Sequence, residues 1–297
     1  MKKSIFIYNP LSGHRVVADR LDYIVQRFMQ HDILVHPYRL DTKSYGMLQE
    51  VFKNENYDFA VLSGGDGTIS SVTDLMLNNG IDIPIGIVPS GTCNDLARSL
   101  SIKESLEQSL DVIINGKIIG IDTGLINNKR YFLNTCAGGT FAEVSYSTSD
   151  ELKRNIGPLA YYMKAFSEVT AIKSFNIKID ADGEVFDEEI ILFLILNGKH
   201  AGGFRNVSGC ADMSDGLMDV ILIKNCPYIE LAALFFKVLN GDLPKDKNVV
   251  HFTCKRCSMV SDSRIYLSVD GEKYEGLPIT VEFVRNKLNV FVPQNFS

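Results

Sequence analysis

The stretch at residues 59–77 constrains the fold of this chain more than any other. Residues 59–62 (Phe-Ala-Val-Leu) form an apolar run typical of a buried strand. The sequence Gly-Gly-Asp-Gly-Thr follows at 64–68, and apolar residues then recur with helical spacing over 69–77. A strand that breaks on glycines and leads into a helix can bind phosphate. The backbone approaches the ligand closely there, and the helix start offers unpaired N–H groups.

Asp66 is the unexpected residue of this loop, because a carboxylate beside phosphates is repulsive unless a cation lies between them. The loop therefore predicts a site for a Mg²⁺-bound nucleotide rather than for a bare phosphate. The alternative is a plain turn between strand and helix, with glycines present for geometry alone. An isolated Asp-Gly pair would favour that alternative, but the full motif directly after a strand favours the phosphate site.

The first 120 residues alternate between strands and helices four times. Each predicted strand, at 4–8, 33–39, 59–62 and 83–88, precedes a turn-rich loop and a helical pattern. Such alternation predicts an α/β fold, a doubly wound nucleotide domain with helices on both faces of a parallel sheet. Ligands of such sheets bind outside the carboxyl ends of the strands. We therefore expect one site built from four loops, at residues 9–13, 41–42, 64–68 and 90–94.

Short strands dominate after residue 120. They are predicted at 118–125, 130–137, 174–179, 190–196, 218–223, 254–260, 263–269, 279–284 and 288–291. This pattern predicts a C-terminal all-β, sandwich-like domain at residues 121–285, after an α/β domain at residues 1–120. Two helical stretches interrupt it, at 151–173 and 228–239. The second is apolar almost all round, which indicates a helix packed on the sandwich or, alternatively, an exposed surface that touches lipid.

Composition and charge restrict the partners and the location. With 36 acidic and 30 basic residues, a net charge of −6 and no long basic run, the chain is not expected to bind nucleic acid. The apolar run at the N-terminus is too short for a signal peptide, and no apolar run has the length of a transmembrane helix. We expect a cytoplasmic protein, or one peripheral at the membrane.

The cysteines indicate reduced thiols, because six of them are scattered through a large chain. Cys254 and Cys257 form a C-x-x-C motif in a stretch that alternates like a strand. A separation of three residues in one strand should place the two sulfurs on opposite faces. We therefore do not expect a zinc or redox site there.

Six motifs occur in order along most of the chain: Asn9-Pro10-Leu11-Ser12-Gly13, Gly64-Gly65-Asp66-Gly67-Thr68, Pro89-Ser90-Gly91-Thr92-Cys93-Asn94-Asp95-Leu96-Ala97, Asn197-Gly198 with Gly202-Gly203-Phe204, Asp215-Gly216-Leu217, and Val269-Asp270-Gly271-Glu272. Together they resemble the bacterial diacylglycerol kinase family of soluble lipid kinases, which is related to the sphingosine and ceramide kinases. The second motif alone is shared with NAD kinases and resembles that of phosphofructokinases. The third and the last motif favour the lipid kinases.

This resemblance implies an NAD kinase-like or phosphofructokinase-like nucleotide domain, a β-rich lipid domain and a cleft between them. A C-terminal strand at 286–297 is expected to return to the first domain. The implied reaction transfers the γ-phosphate of ATP, with Mg²⁺, to the hydroxyl of diacylglycerol or a related lipid, giving phosphatidic acid or a similar phospholipid. Phosphoryl transfer of this kind needs positioning and charge neutralisation more than covalent chemistry.

The resemblance also implies roles for individual residues. Glu272 would be the general base that accepts the proton of the lipid hydroxyl, and Asp66 would orient the catalytic Mg²⁺ through water. On the residues alone, Glu272 could equally be a turn carboxylate. The residues implied to hold the nucleotide are Asn9, Pro10, Leu11, Ser12, Gly13, Thr42, Gly64, Gly65, Asp66, Gly67, Thr68, Ile69, Ser70 and Thr92.

A second metal position is implied at Asp212, Asp215 and Leu217. Asp215 would contribute its carboxylate and the other two residues their backbone carbonyls, which suits the preference of Mg²⁺ for oxygen ligands. The alternative is a plain Asp-Gly turn before the strand at 218–223. Because this position is remote from Gly64 in sequence, we expect it to hold the β domain in shape rather than to react.

Three functions remain open from the sequence: a lipid kinase, an NAD kinase-like enzyme for a soluble substrate, and a non-catalytic regulator that binds nucleotide or lipid. The apolar stretches at 159–166 and 228–239 favour a lipid substrate at the bilayer surface, and intact Asp66 and Glu272 argue against the regulator.

Only Lys153, Arg154 and Lys164 lie near one another around the first stretch, so strong electrostatic docking to an anionic bilayer is not expected. A homodimer is the other predicted partnership.

Overall fold

The computed structural model describes residues 1–12, 16–41, 44–140, 173–204, 206–209, 211–240 and 243–296. Contacts between residues divide the chain into two compact units. The first unit comprises Met1–Ile121 and Asn286–Ser297, and the second unit comprises Asp122–Arg285. Residues 151–172 of the predicted helix at 151–173, with Lys153, Arg154 and Lys164, lie outside the described residues.

The first unit is built on a parallel sheet. Its strands are β1 (Lys2–Tyr8), β2 (Ile33–Arg39), β3 (Phe59–Gly64) and β4 (Ile85–Pro89), in the order β4-β3-β1-β2. Every residue of β3 and β4 is buried, as expected for inner strands covered on both faces. The last strand of the chain, at Ile279–Val292, adds to this sheet in parallel beside β4, with Val290 opposite Ile85.

The helices of the first unit follow from apolar residues spaced at three and four positions. They are α1 (Val16–Asp19), α2 (Leu21–Met29), α3 (Ser44–Asn54), α4 (Asp66–Asn78), α5 (Asp95–Ser99) and α6 (Leu106–Asn115). Helix α2 packs against α6, and α3 packs against α4. Ile24 and Phe28, four residues apart on α2, form a core with Leu110, Phe6 and Val61. The predicted doubly wound α/β architecture is confirmed.

The second unit is an antiparallel β structure, which confirms the predicted sandwich-like domain. Its strands are β5 (Lys117–Ile126), β6 (Arg130–Phe132), β7 (Thr135–Gly139), β8 (Phe175–Ala181), β9 (Glu184–Leu196), β10 (Met218–Lys224), β11 (Val249–Cys254), β12 (Arg256–Val260), β13 (Leu267–Val269), β14 (Glu272–Tyr274) and β15 (Ile279–Val292), of which β5 begins and β15 ends in the first unit. The first part of β9 pairs with β8, and its last residues lie between β7 and β10. Strand β8 alternates strictly between buried and exposed residues, so one face enters the core.

A helix, α7 (Tyr228–Asn240), occupies the second of the two predicted helical stretches. Its residues Leu231 and Leu234 are buried in a core cluster with Ile221 and Leu243, whereas Ile229 is exposed. The helix is therefore packed on the β structure through at least one face. Among the side chains of this helix that the structure describes, the exposed Ile229 near its start is ordinary for a surface helix.

The predicted strand at 254–260 is interrupted at Lys255, since Cys254 ends β11 and residues 256–260 form β12. The Asp182 carboxylate accepts the N–H groups of Lys255 and Arg256, at 2.7 and 3.0 Å, and so stabilises the break between β11 and β12. Cys254 and Cys257 consequently point into the same core, where both are buried. The expectation that they lie on opposite faces was therefore wrong, since it assumed one continuous strand.

Candidate functional site

The loops of the first unit meet where the sheet order changes direction, between β1 and β3. In doubly wound sheets this switch point is the usual ligand site. Asn9, the first residue after β1, joins the two loops. Its backbone N–H donates to the Ser63 carbonyl at 3.0 Å, and its side-chain amide donates to Thr68 Oγ1 at 3.3 Å.

The glycine-rich loop places the start of α4 at this point. The first backbone bond of the helix runs from the Ile69 N–H to the Gly65 carbonyl, so the N–H groups of Gly67 and Thr68 have no partner within the helix. Gly64 is required for close packing, because a Cβ there would lie 2.5 Å from the Cβ of Thr68. N–H groups at the start of a helix, at the positive end of its dipole, suit a phosphate group.

The loop after β4 packs directly on the glycine-rich loop. The Ser90 N–H donates to the Gly64 carbonyl at 2.9 Å, and a Cβ on Gly91 would lie 2.5 Å from the Cα of Gly65. Asn94, with a φ of 52°, locks this loop through its side chain. Its Oδ1 accepts the Gly91 N–H at 2.8 Å, and its Nδ2 donates to the Gly91 carbonyl at 3.0 Å. The structure thus brings together three of the four loops predicted to form the site.

Asp66 faces the start of the next helix. Its Oδ1 accepts the N–H of Leu96 at 3.3 Å, which links α4 to α5. Asp95, the residue before Leu96, is buried at the first position of α5. Asp95 was not among the predicted site residues. An aspartate that directly follows a glycine-containing loop could have indicated it. Two carboxylates therefore lie on neighbouring helix starts.

The remaining residues predicted to hold the nucleotide differ in how far they are exposed to solvent. Leu11 is exposed, and its N–H donates to Asn9 Oδ1 at 3.0 Å. Ile69 and Ser70 are both buried within α4, so their side chains do not face solvent. Pro10 is buried, Ser12 and Thr92 are partly exposed in their loops, and Gly13 and Thr42 lie outside the described residues.

Glu272 lies in the second unit, on the hairpin between β13 and β14. It follows Asp270 and Gly271, whose φ angles of 47° and 85° turn the chain sharply. The side chain of Glu272 is 52% exposed, and its Oε2 lies 3.4 Å from Nη2 of Arg130 on β6. Asp270 is buried and accepts backbone N–H groups from the corner between β6 and β7.

The predicted second metal position is a tight turn held by Asp122. The buried Asp122 accepts the Gly216 N–H through Oδ2 at 2.6 Å, and its own N–H donates to the Met213 carbonyl at 2.7 Å. Asp215 Oδ1 accepts the Leu217 N–H at 2.8 Å. Asp122 was not predicted, since a lone aspartate inside a strand gives no metal-binding pattern.

The surroundings of Asp215 disfavour the charged form of its carboxyl group. Partial burial, and then repulsion from neighbouring carboxylates, raises its pKa. Those neighbours are Asp212, Asp122 and Asp219. A bound cation would relieve this repulsion, so the donor set suits a hard, oxygen-preferring ion such as Mg²⁺. Across the described ranges, no three His, Cys, Asp or Glu side chains converge as a metal-binding group. A site with one carboxylate and backbone carbonyls does not require such a group.

The part of the chain that the structure describes contains no helix long and apolar enough to cross a membrane.

Residues 3–126 match the family model described as the diacylglycerol kinase catalytic domain. Residues 135–292 match the model described as the YegS C-terminal NAD kinase beta sandwich-like domain. These two matches cover both units.

Relatives and solved structures agree with these models. A diacylglycerol kinase from Staphylococcus aureus (strain JH9) is 31% identical over 295 residues, covering 99% of this chain and 93% of that protein. A candidate diacylglycerol kinase from Bacillus anthracis str. Sterne has a similar structure, with a TM-score of 0.86 at 23% identity over 100% of this chain and 97% of that one. A further diacylglycerol kinase structure from the same organism gives a TM-score of 0.79 at 20% identity, over 100% and 98% of the two chains.

Proposed function

The chain belongs to the diacylglycerol kinase family of lipid kinases, and on this basis we propose that it transfers the γ-phosphate of ATP to the hydroxyl of diacylglycerol or a related lipid alcohol. The product is phosphatidic acid or a similar phospholipid. The observation that carries the proposal is the convergence of three loops at the switch point of the first unit. They bring the start of α4 and the Asp66 carboxylate together, in a chain that is similar over 99% of its length to a diacylglycerol kinase.

The ATP phosphates are proposed to bind at the start of α4. The N–H groups of Gly67 and Thr68 and the hydroxyl of Thr68 can donate to phosphate oxygens without adding charge. Asn9 keeps Thr68 oriented through the bond to Oγ1. Mg²⁺, when bound, supplies charge neutralisation for the phosphates, and Asp66 is the residue expected to orient it.

The transfer step requires a base for the lipid hydroxyl, and we assign this role to Glu272. As the hydroxyl oxygen bonds to the γ-phosphorus, the bond to the oxygen that bridges the β- and γ-phosphates breaks and ADP leaves. The hydroxyl proton passes to the Glu272 carboxylate. The half-exposed position of Glu272 on a tight hairpin suits this role, since a substrate can reach the carboxylate without displacing core residues.

A second Mg²⁺ is proposed at the turn whose Gly216 N–H is bound by Asp122. The Asp215 carboxylate and the backbone carbonyls of Asp212 and Leu217 would hold it. Its proposed effect is structural, because the turn leads directly into β10, a strand of the second unit's core.

The substrate class is tested by offering several acceptors at once. The protein is incubated with ATP labelled in its γ-phosphate and with mixed micelles that contain diacylglycerol, ceramide or sphingosine, with NAD as the soluble control. We expect label in a lipid product and none in NAD. Label in NAD without any labelled lipid would overturn the proposal, and nucleotide binding without transfer to any acceptor would favour the regulator.

The base is tested by Glu272→Gln, with Glu275→Gln as the matched control. Both residues are exposed, with Glu272 at the start of β14 and Glu275 directly after its end. Loss of a general base costs on the order of 10²–10⁴-fold in rate. We expect that loss in Glu272→Gln alone, with unchanged affinity for nucleotide. Normal turnover of Glu272→Gln would remove the residue as the base.

A further inference from the structure

Two charged side chains with no role in the proposed chemistry lie against the turn that carries Glu272. They are Arg130, on β6, and Asp270, two residues before Glu272. Both belong to the second unit, as Glu272 does. Their contacts suggest that the turn and the carboxylate of Glu272 are held in one fixed arrangement.

Asp270 ties the hairpin to the corner between β6 and β7. Its Oδ2 accepts the N–H of Leu133 at 2.8 Å, and its Oδ1 accepts those of Asn134 and Thr135 at 2.9 and 2.8 Å. The N–H of Asp270 donates back to the Thr135 carbonyl at 2.8 Å. A buried carboxylate that binds three consecutive N–H groups prevents the corner from sliding along the hairpin, because any shift would leave several buried groups unpaired.

The same corner is fixed from its other side. The Asn197 N–H donates to the Asn134 carbonyl at 2.9 Å, and the Asn197 side chain donates to the Leu133 carbonyl at 2.8 Å. The Asn134 side chain in turn donates to the His200 carbonyl at 2.7 Å. The corner therefore has little freedom to move relative to the hairpin.

Arg130 stands three residues before this corner. Strand β6 is paired with β5, with Arg130 opposite Ile126, so the backbone of Arg130 is also fixed. The Arg130 side chain is only 18% exposed, whereas Glu272 is 52% exposed. A mostly buried guanidinium thus reaches an accessible carboxylate, and it contacts one carboxylate oxygen at 3.4 Å.

We propose that Arg130 is a positioning residue for Glu272, and that Asp270 sets the spacing between them. The inference rests on the proposed role of Glu272 as the base. Arg130 directs Oε2 of the carboxylate inward, so that the orientation of Oε1 toward a lipid hydroxyl is also determined. An ion pair with a half-exposed partner adds little to folding stability. The functional value of the pair is therefore orientation, which acts on the rate of transfer.

The test compares Arg130→Gln and Arg130→Lys with Arg256→Gln, the same substitution at an exposed position on β12. The kcat, the KM values for ATP and lipid, and the Tm are measured for the full-length protein. We expect Arg130→Gln to lower kcat at least ~10-fold, because misdirected catalytic groups lose rate steeply. Both KM values and the Tm should stay near wild type, and Arg130→Lys should recover part of the kcat. Arg256→Gln should leave all four quantities unchanged.

A double-mutant cycle extends the test to Asp270. Asp270→Asn should lower both kcat and the Tm, and adding Arg130→Gln to it should cause little further loss of kcat, because both act through Glu272. Full kcat in Arg130→Gln, a raised KM for lipid in place of a lowered kcat, or additive losses in the double variant would overturn the inference.

Glu272→Gln, measured beside these variants, separates this inference from the assigned base. If Glu272→Gln is inactive and Arg130→Gln is fully active, only the positioning role fails. If Glu272→Gln is fully active, the assigned base fails, and the positioning role fails with it.

Discussion

Replacing Gly91 with alanine should disrupt the nucleotide site while leaving the rest of the first unit folded. The loop that contains Gly91 rests on the glycine-rich loop, and the new Cβ would lie 2.5 Å from the Cα of Gly65 and 2.9 Å from Oδ1 of Asn94. The first neighbour is backbone and cannot rotate away. The second is the oxygen that accepts the Gly91 N–H, so moving it breaks the bond that locks the loop.

The size of the effect follows from this geometry. The contact between residues 91 and 65 must open from 2.5 Å to the 3.4 Å at which ordinary Cβ contacts begin. Overpacking of this kind costs about 1–3 kcal/mol of stability. A displacement approaching 1 Å at a group that positions substrate costs on the order of 100-fold in rate. We therefore expect kcat/KM for ATP to fall by about that factor, and the KM for lipid to stay unchanged.

Steady-state kinetics with ATP varied at fixed lipid, together with thermal unfolding, measure both consequences. Gly46→Ala on α3 is the matched control, since a Cβ there meets nothing within 4 Å. That variant should gain about 0.5–1 kcal/mol of stability and keep wild-type kinetics. Unchanged kcat/KM for ATP in Gly91→Ala, with a normal Tm, would refute the claim that the contact between the two loops shapes the nucleotide site.

Two further variants test the carboxylates. Asp66→Asn keeps an acceptor for the Leu96 N–H, so the Tm should stay unchanged. Phosphate transfer, measured with labelled ATP, should fall by at least ~100-fold. Normal transfer in this variant would remove Asp66 from the site. The pKa of Asp215 is raised, so its contribution to stability is full below the ordinary pKa of the group and is lost as the pH rises through the raised value. Asp215→Asn should therefore raise the Tm of the metal-free protein at neutral pH and remove the increase in Tm that Mg²⁺ gives the wild type; a Tm that responds equally to Mg²⁺ in both proteins would argue against a metal at this turn.

The nucleotide half of the fold could be predicted because its signals are local. A buried strand, a glycine-rich turn and a helix follow one another within residues 59–77, and the same order repeats in the first 120 residues. The alternation also implies that the loops meet at one sheet edge. The contact of Gly65 with Gly91 depends on how closely the two loops pack. The spacing of residues along the chain carries no information about that packing.

The supporting contacts in the second unit could not be predicted, because they join residues far apart in the chain. Asp270 binds backbone groups more than 130 positions earlier, at Leu133 and Asn134. Such bonds use the backbone N–H groups that every residue except proline has, so the residue types at these positions do not reveal them. The error at Cys254 and Cys257 has the same origin, since the break at Lys255 is stabilised by the distant Asp182.

The most direct test of the central claim is to count both products of one reaction. Wild-type protein is given ATP labelled in its γ-phosphate and diacylglycerol in mixed micelles, and ADP and labelled phosphatidic acid are quantified together over time. If the γ-phosphate is transferred to the lipid hydroxyl, one molecule of phosphatidic acid should form for each molecule of ADP. Glu272→Gln should form both products only at its residual rate. ADP that accumulates without labelled lipid, or label that appears only in water-soluble products, would contradict the account.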